Sequence, residues 1–296
     1  MRWWRDFHAW RWWVRSPVQA SVLAGVVVLV LYPRPELLAR HWLRIRDVNS
    51  VIDPTVPALA ELEQRVLARV GTDARPAELL GAVERTVHER IPYAWDWEVW
   101  GVLDYLATTA EVLAAGREDC DGRAVLAASL LRRLGQPAWL VCDVQHTWVA
   151  TPVGELMGPG KGPQSITGTE RGTRVQWNWG LLKNAARGLA FGIQVFPLRR
   201  EALLVAALCG VTLHPYARRW RQIAGCLLLA AALVILRHAG DAERGVDSDP
   251  LWSGLGLAAG AAGWLLLAVR MRVGVPGVVR CGPRGQTDAT AVDGAG

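Results

Sequence analysis

The sequence predicts an α+β fold, helices first and an antiparallel sheet after them, joined to α-helical transmembrane segments. Three observations predict it. Apolar residues recur at helical spacing between about residues 59 and 134, then at two-residue spacing in AWLVCDV and HTWVATP. Helices followed by strands, not alternating with them, is the α+β order. Residues 17–32, PVQASVLAGVVVLVLY, carry no charge, and apolar runs return at 202–213, 222–236 and 251–269. The composition agrees: 51% of the 296 residues are apolar, only 20% are charged, and 16 Trp against 3 Phe favours the membrane–water interface.

Along the chain, residues 1–16 place Trp3, Phe7, Trp10 and Val14 at helical spacing between arginines, the pattern of an interfacial helix. Residues 17–32 span roughly 24 Å as a helix, enough for an anchor with aromatic flanks. The following YPRPELL has no small-x-small cleavage site, which favours an anchor over a signal peptide. Residues 33–185 form the polar domain. In it, Leu59, Leu62, Val66, Leu67 and Val70 mark a helix stopped by Gly71. Pro76 opens another, with Leu79, Leu80, Val83 and Val87 on one face, closed before Pro92. Thr108-x-x-Glu111 is a capping box for a short helix ending at Gly116. Residues 121–134 form the next helix, with Ala124, Ala127, Ala128, Leu131 and Leu134 on one face, ended by Gly135 and Pro137. Residues 186–271 are a membrane region with about three hydrophobic helices, and 272–296 a basic tail expected to be disordered.

Charge sets an expected topology. Residues 1–16 carry four Arg and one Asp, the 216–221 loop Arg218, Arg219 and Arg221, and residues 270–284 four Arg and no acid. The 238–250 loop instead carries Asp241, Glu243, Asp247 and Asp249 against Arg244. The positive-inside rule puts the basic segments in the cytoplasm and the polar domain outside, with four crossings of a bacterial inner membrane. The run 202–213, at roughly 18 Å, is short for a crossing, and a packed or re-entrant helix is the alternative. The same arginine placement argues against a nucleic-acid partner. No CxxC or Cys/His metal spacing appears, GPGKGPQ lacks the phosphate-loop pattern, and no calcium-ligand run stands out, so no cofactor is expected. No signal specifies an oligomeric state.

The candidate chemistry lies in GREDCDGRA. Cys120 falls at the first turn of the 121–134 helix, where unpaired N–H groups and the helix dipole favour a thiolate. Asp119 and Asp121 oppose that by like charge. His146 opens HTWV, and in the strand reading Leu140, Cys142, Val144, His146 and Trp148 share one face. With that face on the 121–134 helix, the imidazole approaches the thiol and can exchange its proton. Cys120 and Cys142 are the only cysteines of the polar domain, and a bond between them is an open alternative.

The stretch IPYAWDWEVWGVLDYLATTAEVLAAGREDCDGRA, then LLRRLGQPAWLV and HTWV, resembles the transglutaminase-like superfamily, in style the bacterial transglutaminase-like cysteine peptidases, over about residues 75–160. The resemblance implies a papain-like core with Cys120 as nucleophile, His146 as general base and the Cys120 N–H as an oxyanion donor, with Trp100 as a possible aid. It implies action on peptide or protein amides at the lipid bilayer. The family's third residue, an Asp after the His, is missing from TPVGELMGPGKG. Glu155, Asn178, a backbone carbonyl and the absence of any orienter are the alternatives at the imidazole. With a hairpin turn at Val153–Gly154, Glu155 would lie roughly 20 Å along the ladder from His146. The missing Asp also admits a catalytically degenerate binding or scaffold protein at the membrane.

Overall fold

The computed structural model describes residues 2–142, 146–158, 166–169, 172–175, 180–240 and 250–268. The N-terminal run forms two helices, α1 (Arg2–Ala9) and α2 (Trp12–Leu31). The break falls at Trp10–Arg11, so Trp12–Ser16 extend the apolar helix instead of completing the interfacial one. α3 (Pro35–Ile45) opens on a proline whose missing N–H costs nothing at a first turn. A 3-10 turn over Val48–Val51 follows, capped by Asp47.

The predicted helices then appear in order. α4 (Leu59–Val70) buries Leu59, Leu62 and Val66 and stops at Gly71, whose φ of 78° suits glycine. α5 (Pro76–Arg90) buries Leu79, Leu80, Val83 and Val87. A single turn, α6 (Asp96–Val99), precedes α7 (Thr109–Ala115). In α7, Thr108 Oγ1 accepts from Glu111 N (3.3 Å) and the Glu111 carboxylate accepts from Thr108 N (2.8 Å), the predicted capping box. α8 (Cys120–Arg133) is apolar on more than the predicted face: Val125, Leu126 and Leu130 are buried along with Ala124, Ala127, Ala128 and Leu131. A helix buried nearly all round is the centre of a core.

The strands β1 (Trp139–Cys142), β2 (Thr147–Thr151), β3 (Gly154–Leu156), β4 (Ile166–Thr169) and β5 (Gly172–Val175) form one antiparallel sheet in the order β3-β2-β1-β4-β5. Pairing puts Leu140 opposite Val149, and Val149 opposite Leu156, in one buried row that packs with α8 in the core. This corrects the single-face reading of residues 140–148. The chain reverses between β1 and β2, so Trp148 pairs with Val141 and stands on the face opposite Leu140. The β2–β3 turn is Pro152–Val153, one residue earlier than expected, because Thr151 pairs with Gly154. Cys120 and Cys142 are both free thiols.

Four helices follow: α9 (Gly180–Val195), α10 (Leu198–Thr212), α11 (Arg219–Ala239) and α12 (Pro250–Ala268). Among the described residues, three helices are long and apolar enough to cross a membrane: α2, α11 and residues 251–268 of α12. The chain is thus mostly helical, with a small antiparallel sheet and three candidate membrane helices. α10 is shorter, and it begins before the apolar run because its charged first turn is partnered. Arg200 donates to the Gly101 carbonyl (2.9 Å), and Glu201 accepts from Arg237 (2.5 Å). Arg237 also donates to the carbonyls of Ile193, Gln194 and Phe196, which closes the C-terminal end of α9.

α10 runs antiparallel beside α2. Near its start, Arg200 reaches Gly101 while Leu103 N donates to Leu31 O (2.9 Å), at the end of α2. Near its finish, Gln19 donates to Val211 O (2.7 Å) and Trp4 to Leu213 O (3.2 Å). His214 stands against His8, with ring centroids 5.1 Å apart, and its N–H donates to Leu267 O. The starts of α1 and α11 and the end of α12 therefore meet at one end of the helix group, and the polar domain at the other. The 241–249 loop and the 269–296 tail lie outside the described residues.

Candidate active site

Cys120 is the first residue of α8. Asp119 caps the helix, its Oδ1 accepting from Asp121 N (3.2 Å). His146 stands directly before β2, and α8 packs across that strand. The backbone N–H of Thr147, the residue after His146, faces the Cys120 sulfur and lowers the proton affinity of the thiol. The thiol and the imidazole line the same two cavities, one on each side of them. Helix and strand, 26 positions apart in the chain, thus bring Cys120 and His146 together.

The imidazole is held from behind. Its Nε2 lies 2.7 Å from the Met157 carbonyl oxygen. A carbonyl only accepts, so Nε2 carries the proton and Nδ1 the lone pair of the neutral ring. Met157 has φ 59°, a left-handed turn that ends β3 at the ring. The ring also stacks on Trp148, interplanar angle 15°.

Glu155 is not the partner on His146 Nε2, though its carboxylate turns back toward Gly158, the residue after Met157. Glu155 pairs with Ala150, four residues along β2 from His146, or ~13 Å at ~3.3 Å per residue. Asn178 lies outside the described residues, as does most of the Gly-rich loop, 159–165. Trp100 is committed elsewhere: its indole N–H donates to Glu118 Oε1 (2.5 Å).

Burial is the first cause holding the thiol protonated, and the charge of Asp119 is the second; Asp104 and Asp96 add to it, while the Thr147 N–H works the other way. Asp96, Glu118, Asp119 and Asp121 place carboxylate oxygens within 4.8 Å of one another. Burial, then mutual repulsion, pushes Asp96 up to about 11 and Glu118 to about 7, and raises Asp121. The all-oxygen set has the chemistry of a hard-cation site. Its members are turned largely to protein donors, however. Asp96 accepts from Tyr105 N, Glu118 from Trp100 and Asp119 N, and Asp121 from Gly122 N.

The larger cavity, about 640 Å³, lies between the thiol and helices α9 and α10. Trp95 and Trp97 stack at its edge (4.9 Å between centroids), Trp95 facing Phe191 and Trp97 facing Phe196. The smaller, about 260 Å³, is polar, with Glu84, His88 and Arg123 in its wall. Sequence reasoning missed Asp96, Glu118 and the Trp95–Trp97 corner, although all lie in the stretches quoted for the resemblance. It also left the Met157 carbonyl unnamed.

No family model, curated protein or solved structure matches this chain.

Proposed function

We propose that the protein is a membrane-anchored thiol enzyme of the transglutaminase-like type, acting on peptide or protein amides through an acyl-Cys120 intermediate. One observation carries the reading: the helix-N-terminal thiol of Cys120 and the oriented imidazole of His146 line the same two cavities. In the reaction, His146 Nδ1 takes the thiol proton as sulfur attacks the carbonyl carbon. The Cys120 N–H, at the start of α8, supports the oxyanion. The imidazolium returns its proton to the leaving amine as the C–N bond breaks. Water then hydrolyses the thioester, or a second amine takes the acyl group. Because burial and carboxyls keep the resting thiol protonated, the thiolate forms within the reaction and not as a standing ion pair.

The N-terminal basic segment and the 216–221 loop lie at one end of the helix group, which supports a cytoplasmic position for that end. The same placement supports an extracytoplasmic, inner-membrane-facing position for the domain, with α10 as a fourth crossing beside α2. The acid cluster favours a second reading, a transglutaminase-like scaffold without chemistry, since carboxyls around a nucleophile oppose its ionisation.

The deciding experiment treats the detergent-solubilised chain with p-nitrophenyl acetate. A burst of nitrophenol with acetyl mass on Cys120, slowed ~10²–10⁴-fold in His146→Ala, is expected of the enzyme. An unacylated Cys120, or a rate indifferent to His146, assigns the scaffold.

A further inference from the structure

The two cavities flanking the thiol differ in chemistry and in what stands behind them. The larger one is polar only where it meets Cys120, His146 and the carboxyls. Its far wall is Leu189, Phe191, Ile193, Phe196 and Leu204, from α9 and α10. The one charged side chain on that wall, Glu201, is neutralised by Arg237. Leu31, the last residue of the candidate membrane helix α2, also lines it, so the cavity opens where that helix leaves the apolar layer. The domain is fixed there: Leu103 bonds Leu31 O, Arg34 bonds Trp100 O, and Arg200 bonds Gly101 O. The nucleophile therefore faces the membrane surface through an apolar chamber of ligand size.

An extended peptide in that chamber would leave its backbone N–H and C=O groups against leucine and phenylalanine, at a cost of several kcal/mol each. A hydrocarbon chain has no such groups. The carboxyls at the thiol end disfavour a phosphate-bearing head, and the smaller cavity, with Glu84, His88 and Arg123 in its wall, offers hydrogen-bonding groups to the leaving half.

We propose that the substrate is a long-chain fatty-acyl amide of a peptide or protein amine, presented from the membrane, with its hydrocarbon tail in the α9–α10 cavity. This rests on the Cys120–His146 reading. Sulfur adds to the acyl carbon and the C–N bond breaks. The thiol proton leaves on the amine, and a thioester holds the tail in the chamber until water cleaves it to a carboxylic acid and restores the thiol.

The test compares p-nitrophenyl acetate, octanoate and hexadecanoate on the full chain in phosphatidylcholine nanodiscs, read as Cys120 acylation by intact mass. Gly192 lines the chamber with no atom within 4 Å of a built Cβ, so Gly192→Phe fills space without a first-atom clash. A hexadecanoate-to-acetate rate ratio above one that falls at least tenfold in Gly192→Phe is expected. Leu204→Trp is the second variant if the first does not fold. Partitioning of long esters into lipid is the same for both proteins, so an unchanged ratio overturns the tail site while acetyl transfer leaves the thiol mechanism standing. Loss of acetate acylation overturns both. A leucine-rich peptide p-nitrophenyl ester that outcompetes hexadecanoate and is equally sensitive to Gly192→Phe would assign the chamber to peptide and overturn the proposal.

Discussion

Glu118→Gln should flatten the pH dependence of stability. Glu118 is fully buried, one residue from the thiol's helix cap, and accepts from Trp100 Nε1 and Asp119 N (3.0 Å). Burial, then the charge of Asp119, raises it from 4.5 to about 7. A raised carboxyl favours the protonated folded state. Its stabilising effect is full below about pH 4.5 and is lost as pH rises to about 7. At ~1.36 kcal/mol per tenfold change in proton affinity, the loss is on the order of 3–4 kcal/mol. The amide cannot ionise, so it avoids that loss. It also turns an NH2 toward one of the two donors, a pH-independent cost of ~1–3 kcal/mol. Comparing the two proteins across pH cancels that second effect. Thermal unfolding followed by tryptophan fluorescence at pH 4.5 and 8 is the assay. The variant should be the less stable at pH 4.5, and the gap should close or reverse by pH 8, a relative change of roughly 7–14 °C at ~2–4 °C per kcal/mol. A gap of the same size at both pH values would refute the buried-proton account of the cluster.

Three further outcomes are expected. Glu111 is pulled down to about 2: burial raises it, but hydrogen bonds from Arg44, Thr108 and Tyr105 outweigh burial. Its contribution is full above about pH 4.5 and lost below, so Glu111→Gln should cost ~2–3 kcal/mol at pH 7, after allowance for partial exposure, and much less at pH 2, by the same unfolding assay. A Cβ on Gly122 would lie 2.4 Å from Glu118 Cγ, so Gly122→Ala should cost ~1–3 kcal/mol and displace the first turn of α8, read as a changed alkylation rate at Cys120. Arg237→Ala leaves Glu201 without its cation and uncaps two α9 carbonyls and that of Phe196. It should destabilise by ~3–5 kcal/mol and open the α9–α10 turn to proteolysis, while Arg237→Lys recovers part of the loss.

Local chemistry was readable from the sequence wherever one residue decides it. Gly71, Gly116 and Gly135 stop helices at positive φ, Thr108 and Glu111 cap each other, and Cys120 begins its helix. The features that escaped depend on distant partners. Arg200 and Glu201 read as breaks in an apolar run, yet they sit within α10 because Gly101 O and Arg237 lie 99 and 36 positions away. The faces of β1 and β2 were misassigned because alternation counts through a reversal that periodicity does not mark. The Met157 carbonyl had no signature because every residue carries one. Asp96 drew no reading of its own, since nothing local shows that Tyr105 N and three other carboxyls close over it.

The position of the thiol follows from the loop Trp100–Leu103. Three hydrogen bonds tie it to Arg34, Arg200 and the last carbonyl of α2, all at one level of the helix group. The same stretch holds Trp100 against Glu118, which bonds the Asp119 N–H that precedes Cys120. A continuous series of contacts thus runs from the end of a candidate membrane helix to the Cys120 thiol. Moving the domain relative to α2 would break bonds at both ends of that series, so the depth of Cys120 relative to the apolar layer is a property of the fold. A soluble thiol enzyme would need no such tie. Its presence here is the physical reason to seek substrates at the bilayer before seeking them in solution.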